Sequence, residues 1–302
     1  MNDRLFKNKL MGRFIGFWFE TTDTIRLDTF RMCLGISILL YMGFRWQYAD
    51  EWLTREGFHI SAQNLPFLSM KVPLLPLLFL PIFGAFFFAS ILALIVGWQT
   101  RWAIWSVWGC LLYVTCADQL AAFSPNKILL AVLFILGFAP FGTYWSVSKG
   151  QPQRQPVWPV RVFQITMIVH FFMAGWAKVV FGEWMTNPLV LWTQMHGTYR
   201  THFAGFLLNL LSPKVWTFMQ INALLVELLS PFLFISKKLR WLGFLWMGSL
   251  LIMIALTMKH LIYFMLIIAS FFVLFVEEDA LHRFRKSINV FSVKRAFEKP
   301  ER

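Results

Sequence analysis

The sequence is poor in charge, poor in cysteine and poorer still in acidic residues. Charged residues make up 14% of its 302 residues against 58% hydrophobic, which excludes a water-soluble domain of ordinary composition. Acidic residues number 15 against 28 basic ones, a net charge of +13. In a soluble chain that excess would point to nucleic acid. Here the basic residues fall in the tails and in alternate loops, where orientation in a membrane accounts for them, so nucleic-acid binding is set aside. The 3 cysteines, Cys33, Cys110 and Cys116, lie in apolar stretches without Cys-x-x-Cys spacing, which excludes a disulfide framework and a zinc site of that type. There is no glycine-rich phosphate loop, no His-Glu-x-x-His, no nucleophile elbow and no aspartate-rich motif. Those absences remove most soluble enzyme chemistries and the commonest membrane prenyl transferases. His196 and His202 do not share a helical face, and no metal is expected.

What remains is a run of apolar stretches, each long enough to cross a bilayer. They predict an all-α, polytopic transmembrane helical bundle of about eight spans: 26–46, 73–97, 101–122, 127–145, 160–181, 215–235, 239–258 and 260–277. The N-terminal segment, 99–101, 149–161, the cluster Lys237, Lys238 and Arg240, and the tail from Arg283 carry the basic excess. The alternate loops carry Asp50, Glu51, Glu56, Asp118 and Glu183, so the positive-inside rule puts both termini in the cytoplasm. Residues 1–25 pattern as a basic amphipathic helix on the membrane surface, with Arg4, Lys7, Lys9 and Arg13 set against Phe6, Leu10, Phe14 and Trp18. Residues 26–277 form one membrane domain and 278–302 a basic tail. Two outer segments, 47–72 and 183–214, are expected to lie on the membrane as interfacial helices roofing the bundle. Pro73, Pro76, Pro81 and Pro140 either kink spans or merely punctuate them.

The chemistry concentrates in the stretch from Gln164 to Trp184. Lys178 stands near the outer end of an apolar span, where it either snorkels to the headgroups or is enclosed by protein. A lysine at the centre of a span costs about 2.5–3.5 kcal/mol, so a partner is expected. Ala174, Gly175 and Ala177 let another helix approach and enclose the amine. Glu227, near the middle of the sixth span, must be protonated or paired with a cation or hydrogen-bond donor, serving either as a site group or as a clamp between helices. His170 precedes Lys178 by about two helical turns and serves either as a packing residue or as a second cavity group. An enclosed, desolvated Lys178 can act as a general base.

Ala174-Gly175-Trp176-Ala177-Lys178, followed by Trp184, resembles the Ala-Gly-x-x-Lys segment and later tryptophan of the HTTM-domain family, which includes the membrane domain of vitamin K-dependent gamma-carboxylases. Further resemblance runs through Phe30-Arg31, Gly97-Trp-Gln-Thr-Arg101, Tyr144-Trp145-Ser146-Val147, Arg161 with Gln164, and Glu227, covering about residues 26–277. It implies catalytic roles for Lys178, Glu227 and His170, contact of Trp176, Gln164 and Trp184 with a reduced, vitamin K-like quinone, and Lys178 as the base. The sequence departs from the carboxylases at Asn126-Lys127, where they carry an Asn-His pair, and it has no large lumenal domain. Short bacterial members of the sporulation-delaying protein B type share its layout and take part in producing a secreted peptide toxin. The resemblance therefore implies a bacterial inner-membrane protein that modifies or helps mature an exported peptide or a lipid-soluble substrate. A separate subunit and membrane lipid are its expected partners. A non-enzymatic scaffold or partner subunit is the alternative; a transporter would call for symmetric broken helices that the sequence does not show.

Overall fold

The computed structural model describes residues 11–12, 14–57, 72–117, 124–142, 144–147 and 154–297, with side chains through 287. Asp118, most of the first outer segment (58–71), the basic residue Lys149 and all but two of the first thirteen residues lie outside the described residues.

The bundle is built around α1 (Ile25–Trp46). Its buried residues Leu27, Phe30, Leu34, Ile38, Tyr41 and Met42 recur every three or four positions, but Ile25, Thr29, Arg31 and Ser37 are buried beside them, so the helix is enclosed on most sides. In its most apolar window 61% of residues are buried, against 22–28% in the three other long apolar helices, which makes α1 the hub. After the short α2 (Ala49–Leu53), α3 (Leu80–Val96), α4 (Thr100–Ala117) and α5 (Ser124–Phe138) pack in sequence beside it. Pro81 opens α3 in its first turn and Pro140 lies beyond the end of α5, so both prolines punctuate helices and kink neither. The second half comprises α6 (Trp158–Val180), α7 (Val190–Met195), α8 (His202–Leu210), α9 (Pro213–Leu228), α10 (Ser230–Ile235), α11 (Arg240–Thr257) and α12 (Leu261–Ser270). A 3₁₀ segment, Phe271–Phe275, extends α12, and α13 (Glu278–Phe297) leaves it at 109°.

Every stretch expected to span contains helix. Four helices are long and apolar enough to cross a membrane, Ile25–Trp46, Leu77–Val96, Trp158–Val180 and Arg240–Thr257, and the bent pair Leu261–Phe275 with Glu278–Ser287 makes a fifth if counted as one. Among the rest, α5 has 15 residues, and the 215–235 stretch is divided at Leu229 because Pro231, in the first turn of α10, has no backbone N–H to continue α9. The second outer segment folds as α7 and α8, held together by a small core of Met195, Ala204 and Trp216. Thr201 caps α8 by accepting from Ala204 N at 3.1 Å. The one departure from all-α architecture among the described residues is a two-stranded antiparallel ribbon, β1 (Thr21–Asp23) with β2 (Arg154–Pro156), Thr21 opposite Pro156.

Candidate functional site

Where α6 crosses α9, the backbones come close at Gly175. A Cβ added there would lie 3.0 Å from the Glu227 Cβ and 3.1 Å from the Leu228 nitrogen, a distance that real Cβ atoms rarely show. This is the approach expected of the small residues below Lys178. Nearly one turn further along α6, the Lys178 ammonium donates to both carboxylate oxygens of Glu227. The Glu227 side chain is 7% exposed and that of Lys178 27%, so the carboxylate is sealed in the helix interface and the amine stands at its open side. Of the roles open to Glu227 in the sequence, pairing with a cation is the one adopted. The ammonium also lies 5.0 Å from the centre of the Trp184 ring, within cation–π range.

Trp184 is fixed by a residue with no evident role in the sequence. Gln220, buried on α9 two turns before Glu227, donates from Nε2 to the carbonyls of Trp184 and Asn187, each at 2.9 Å, and accepts from Leu191 N at 3.0 Å. One side chain therefore ties the roof to the helix that carries the carboxylate. Its seven-residue spacing from Glu227 is a signal that could have marked it, since i and i+7 share a helical face.

Beside the ion pair opens a cavity of about 470 Å³ between α6, α9, α11 and α12, with the roof above. This falls in the range of small-molecule sites. Lys178, Glu227, Trp184 and His170 all line it. The walls are otherwise mostly apolar and include Met195, Met219, Met253, Met258 and Met265, unbranched side chains that can adapt to the shape of a guest. His170 meets Phe171 and Phe264 edge-on and also lines a second cavity of about 250 Å³, which it shares with Lys127 and Thr166. The histidine thus stands between the two spaces, and Lys127 faces the smaller.

Two residues assigned to cofactor contact do not join this group. Gln164 donates to the Leu274 carbonyl at 2.8 Å and accepts from Arg161 at 3.3 Å, and it lines neither cavity. Trp176 is 47% exposed and stacks on Phe172, its position lying about 100° round α6 from Gly175. Most of the other family-like segments converge elsewhere, in a clasp at the far end of the bundle. Arg31 donates to the carbonyls of Leu94, of Ile95 at 3.1 Å and of Trp145 at 2.8 Å. Asp28 accepts from Tyr144 N at 3.3 Å and from the Thr24 hydroxyl at 3.0 Å. Ser146 donates to the Gly97 carbonyl at 2.7 Å, and Val147 N to that of Val96 at 2.9 Å. Gly97 has φ +72°, and a Cβ there would strike Ser146, so the turn requires glycine. Arg161 marks that end of α6, and 17 residues separate it from Lys178, about 26 Å of helix.

No protein-family model, curated protein or solved structure matches this chain. Fold and site together define a mostly helical, membrane-embedded protein with an ion pair beside an apolar internal cavity.

Proposed function

We propose that the chain is an integral protein of the bacterial inner membrane with about eight spans and cytoplasmic termini, acting on an exported peptide or a lipid-soluble substrate through the Lys178–Glu227 pair. The observation that carries this reading is the placement of the pair at the edge of a mostly apolar cavity, with its amine on the open side. The ammonium contacts both carboxylate oxygens, so a proton can pass between the two groups without either moving. Transfer of the shared proton to Glu227 leaves Lys178 as a neutral base that can accept a proton from a bound substrate, and Glu227 can return one. The substrate proton goes to the amine, which leaves the pair with one positive charge beside the substrate anion until Glu227 gives its proton to the product and the ammonium–carboxylate pair is restored.

The reduced quinone implied by the family resemblance fits these residues, since the walls are apolar and Trp184 and His170 line the space. Lys178, Trp184 and His170 would hold it, in place of the Trp176 and Gln164 that the resemblance implies. When bound, such a group supplies reducing equivalents. A separate subunit that brings the peptide would dock on the outer roof.

Mass spectrometry of lipids and peptides copurifying in mild detergent tests the reading. The expected result is an enriched apolar or peptide species that is lost when the cavity is filled by Ala223→Trp in a folded variant. Only bulk phospholipid in both preparations would sink it. The close Gly175 contact favours a second reading, in which the ion pair clamps α6 to α9 in a non-enzymatic scaffold.

A further inference from the structure

The smaller of the two cavities carries an unmatched charge. It is a cleft of about 250 Å³ between α5 and α6, with Ile268 and Phe271 behind. The buried Val132, Met167, Ile268 and Phe271 form its floor, and the exposed Lys127, Ala131 and Thr166 form its rim, so it opens on the side of the bundle. Thr166 spends its hydroxyl on the Val162 carbonyl of its own helix, at 2.9 Å. The Lys127 side chain makes no hydrogen bond or ion pair among the described residues, and no acidic residue lines the cleft.

Depth gives that charge its meaning. His170, on the wall of the cleft, is the thirteenth of the 23 residues of α6, a helix long enough and apolar enough to cross a membrane. Lys127 is the fourth residue of α5, and 11 residues, about 16 Å of helix, separate it from Phe138 at the other end. The cleft therefore lies well inside a hydrocarbon layer of about 30 Å, where an ammonium without a partner is costly. A phospholipid phosphate stays ionised at the membrane surface and does not reach that depth. A carboxylic acid can cross hydrocarbon in its neutral form and ionise beside a cation. The volume lies below the range of most small-molecule sites and suits part of one acyl chain, not a lipid with two.

We infer that this cleft binds a long-chain fatty acid from the bilayer, its carboxylate on Lys127 and its chain along the apolar floor. The charge selects the acid and the floor selects the chain. His170 lines both cavities and so forms part of the wall between this guest and the space beside Lys178. The inference does not depend on the chemistry proposed for Lys178.

The test uses the full chain in phosphatidylcholine nanodiscs with ¹³C-labelled methionine methyls, and the probes dodecanoate, at alkaline pH, and 1-dodecanol. Met167 lines this cleft alone, and Met219 and Met253 line the larger cavity alone, so the methyls tell which space is filled. Dodecanoate is expected to saturate the Met167 shift at a mole fraction roughly tenfold below that of dodecanol. Lys127→Gln should bring the two probes within about twofold of each other, whereas Lys127→Arg should keep the preference. Ala131→Trp fills the rim with the lysine retained and should remove the Met167 response to both probes. Unchanged Met219 and Met253 signals show that a variant is folded, and Lys127→Met serves if the glutamine variant is not. Equal saturation by acid and alcohol in the unaltered protein overturns the role of Lys127. An acid preference that survives in folded Lys127→Gln does the same. Shifts confined to Met219 and Met253 overturn the cleft as the site. Dodecyl phosphate saturating Met167 before dodecanoate would overturn the assignment to a fatty acid in favour of a phosphate headgroup.

Discussion

Lys178 and Glu227 differ in what each leaves behind when the other is removed. Lys178→Met strands a carboxylate that is 7% exposed, whereas Glu227→Gln leaves an ammonium that still has the Trp184 ring and the open side of the cavity. We expect Lys178→Met to destabilise more than Glu227→Gln, with about 3–5 kcal/mol as the upper bound for breaking a buried pair from one side. The double variant should recover much of the loss, because no buried charge remains. Equilibrium unfolding in mild detergent measures the cycle, and a strictly additive double variant would show that the pair does not couple. The same cycle separates the two functional readings. A clamp is restored in the double variant along with its function, while an acid–base pair is restored in stability alone. Lys178→Arg adds an independent check. Arginine can keep the pair but stays protonated and cannot serve as a neutral base, so stability should hold and turnover should vanish. Full function in a stable Lys178→Arg protein would move the weight to the scaffold.

At the scale of elements, Arg31 joins α1 to the end of α3 and to the segment after α5. The last carbonyls of a helix have no partner within it, and a cation there is favoured by the helix dipole, so one planar guanidinium meets several needs at once. Arg31→Met removes those donors and the neighbouring positive charge from buried Asp28. It should cost about 3–5 kcal/mol and lower the thermal midpoint far more than Lys178→Arg. Arg31→Lys should fall between, since a single ammonium cannot reach the carbonyls of Leu94 and Ile95 together with those of Tyr144, at 3.4 Å, and Trp145. Equal midpoints for Arg31→Met and the unaltered protein would dismiss the clasp. Gly175→Val tests the other crossing. Its side chain would press on Glu227 and on the backbone of Leu228, and a loss of about 1–3 kcal/mol is expected by the same measurement.

These elements also mark how far sequence could reach. The position of the apolar helical stretches was legible, because apolar runs of that length have few other uses, whereas α13 falls in what the sequence presents as a basic tail. The break at Leu229 was less so, since a proline inside an apolar run can kink a span or end it, and neighbouring packing decides which. Lys178 and Glu227 each announced the need for a partner, but they lie 49 residues apart and only the crossing of α6 on α9 pairs them. Gly175 gave the hint that a helix would approach. Trp216 gave none. In an apolar run it looks the same as Trp241, which is 63% exposed, and burial alone tells them apart.

For the whole molecule the question is which end faces which compartment. Several contacts gather the starts of α1, α6 and α11 with the end of α12 at one end of the bundle. Arg26 pairs with Glu278, Gln164 donates to Leu274, and Arg240 donates to Phe275 at 3.1 Å. Lys237 and Lys238 lie next to Arg240 in the chain, and α13, packed against the same end through Leu281 and with Arg285 4.8 Å from the centre of the Tyr144 ring, brings Arg283, Arg285 and Lys286 there. The roof, with Trp184, α7 and α8, belongs to the other end. We propose, from retention of basic residues on the cytoplasmic side, that α13 is cytoplasmic and the roof outside, with the mouth of the Lys178 cavity towards the outer leaflet. Single cysteines at Ser287 and Thr198, in a background lacking Cys33, Cys110 and Cys116, should react from opposite sides of intact cells and inverted vesicles with an impermeant maleimide. Ser287→Cys is expected to label only in inverted vesicles and Thr198→Cys only in intact cells. Labelling of both from one side would overturn the topology. The reverse pattern would keep the fold and turn the cavity towards the cytoplasm, which removes exported substrates from consideration while leaving the chemistry of the ion pair intact.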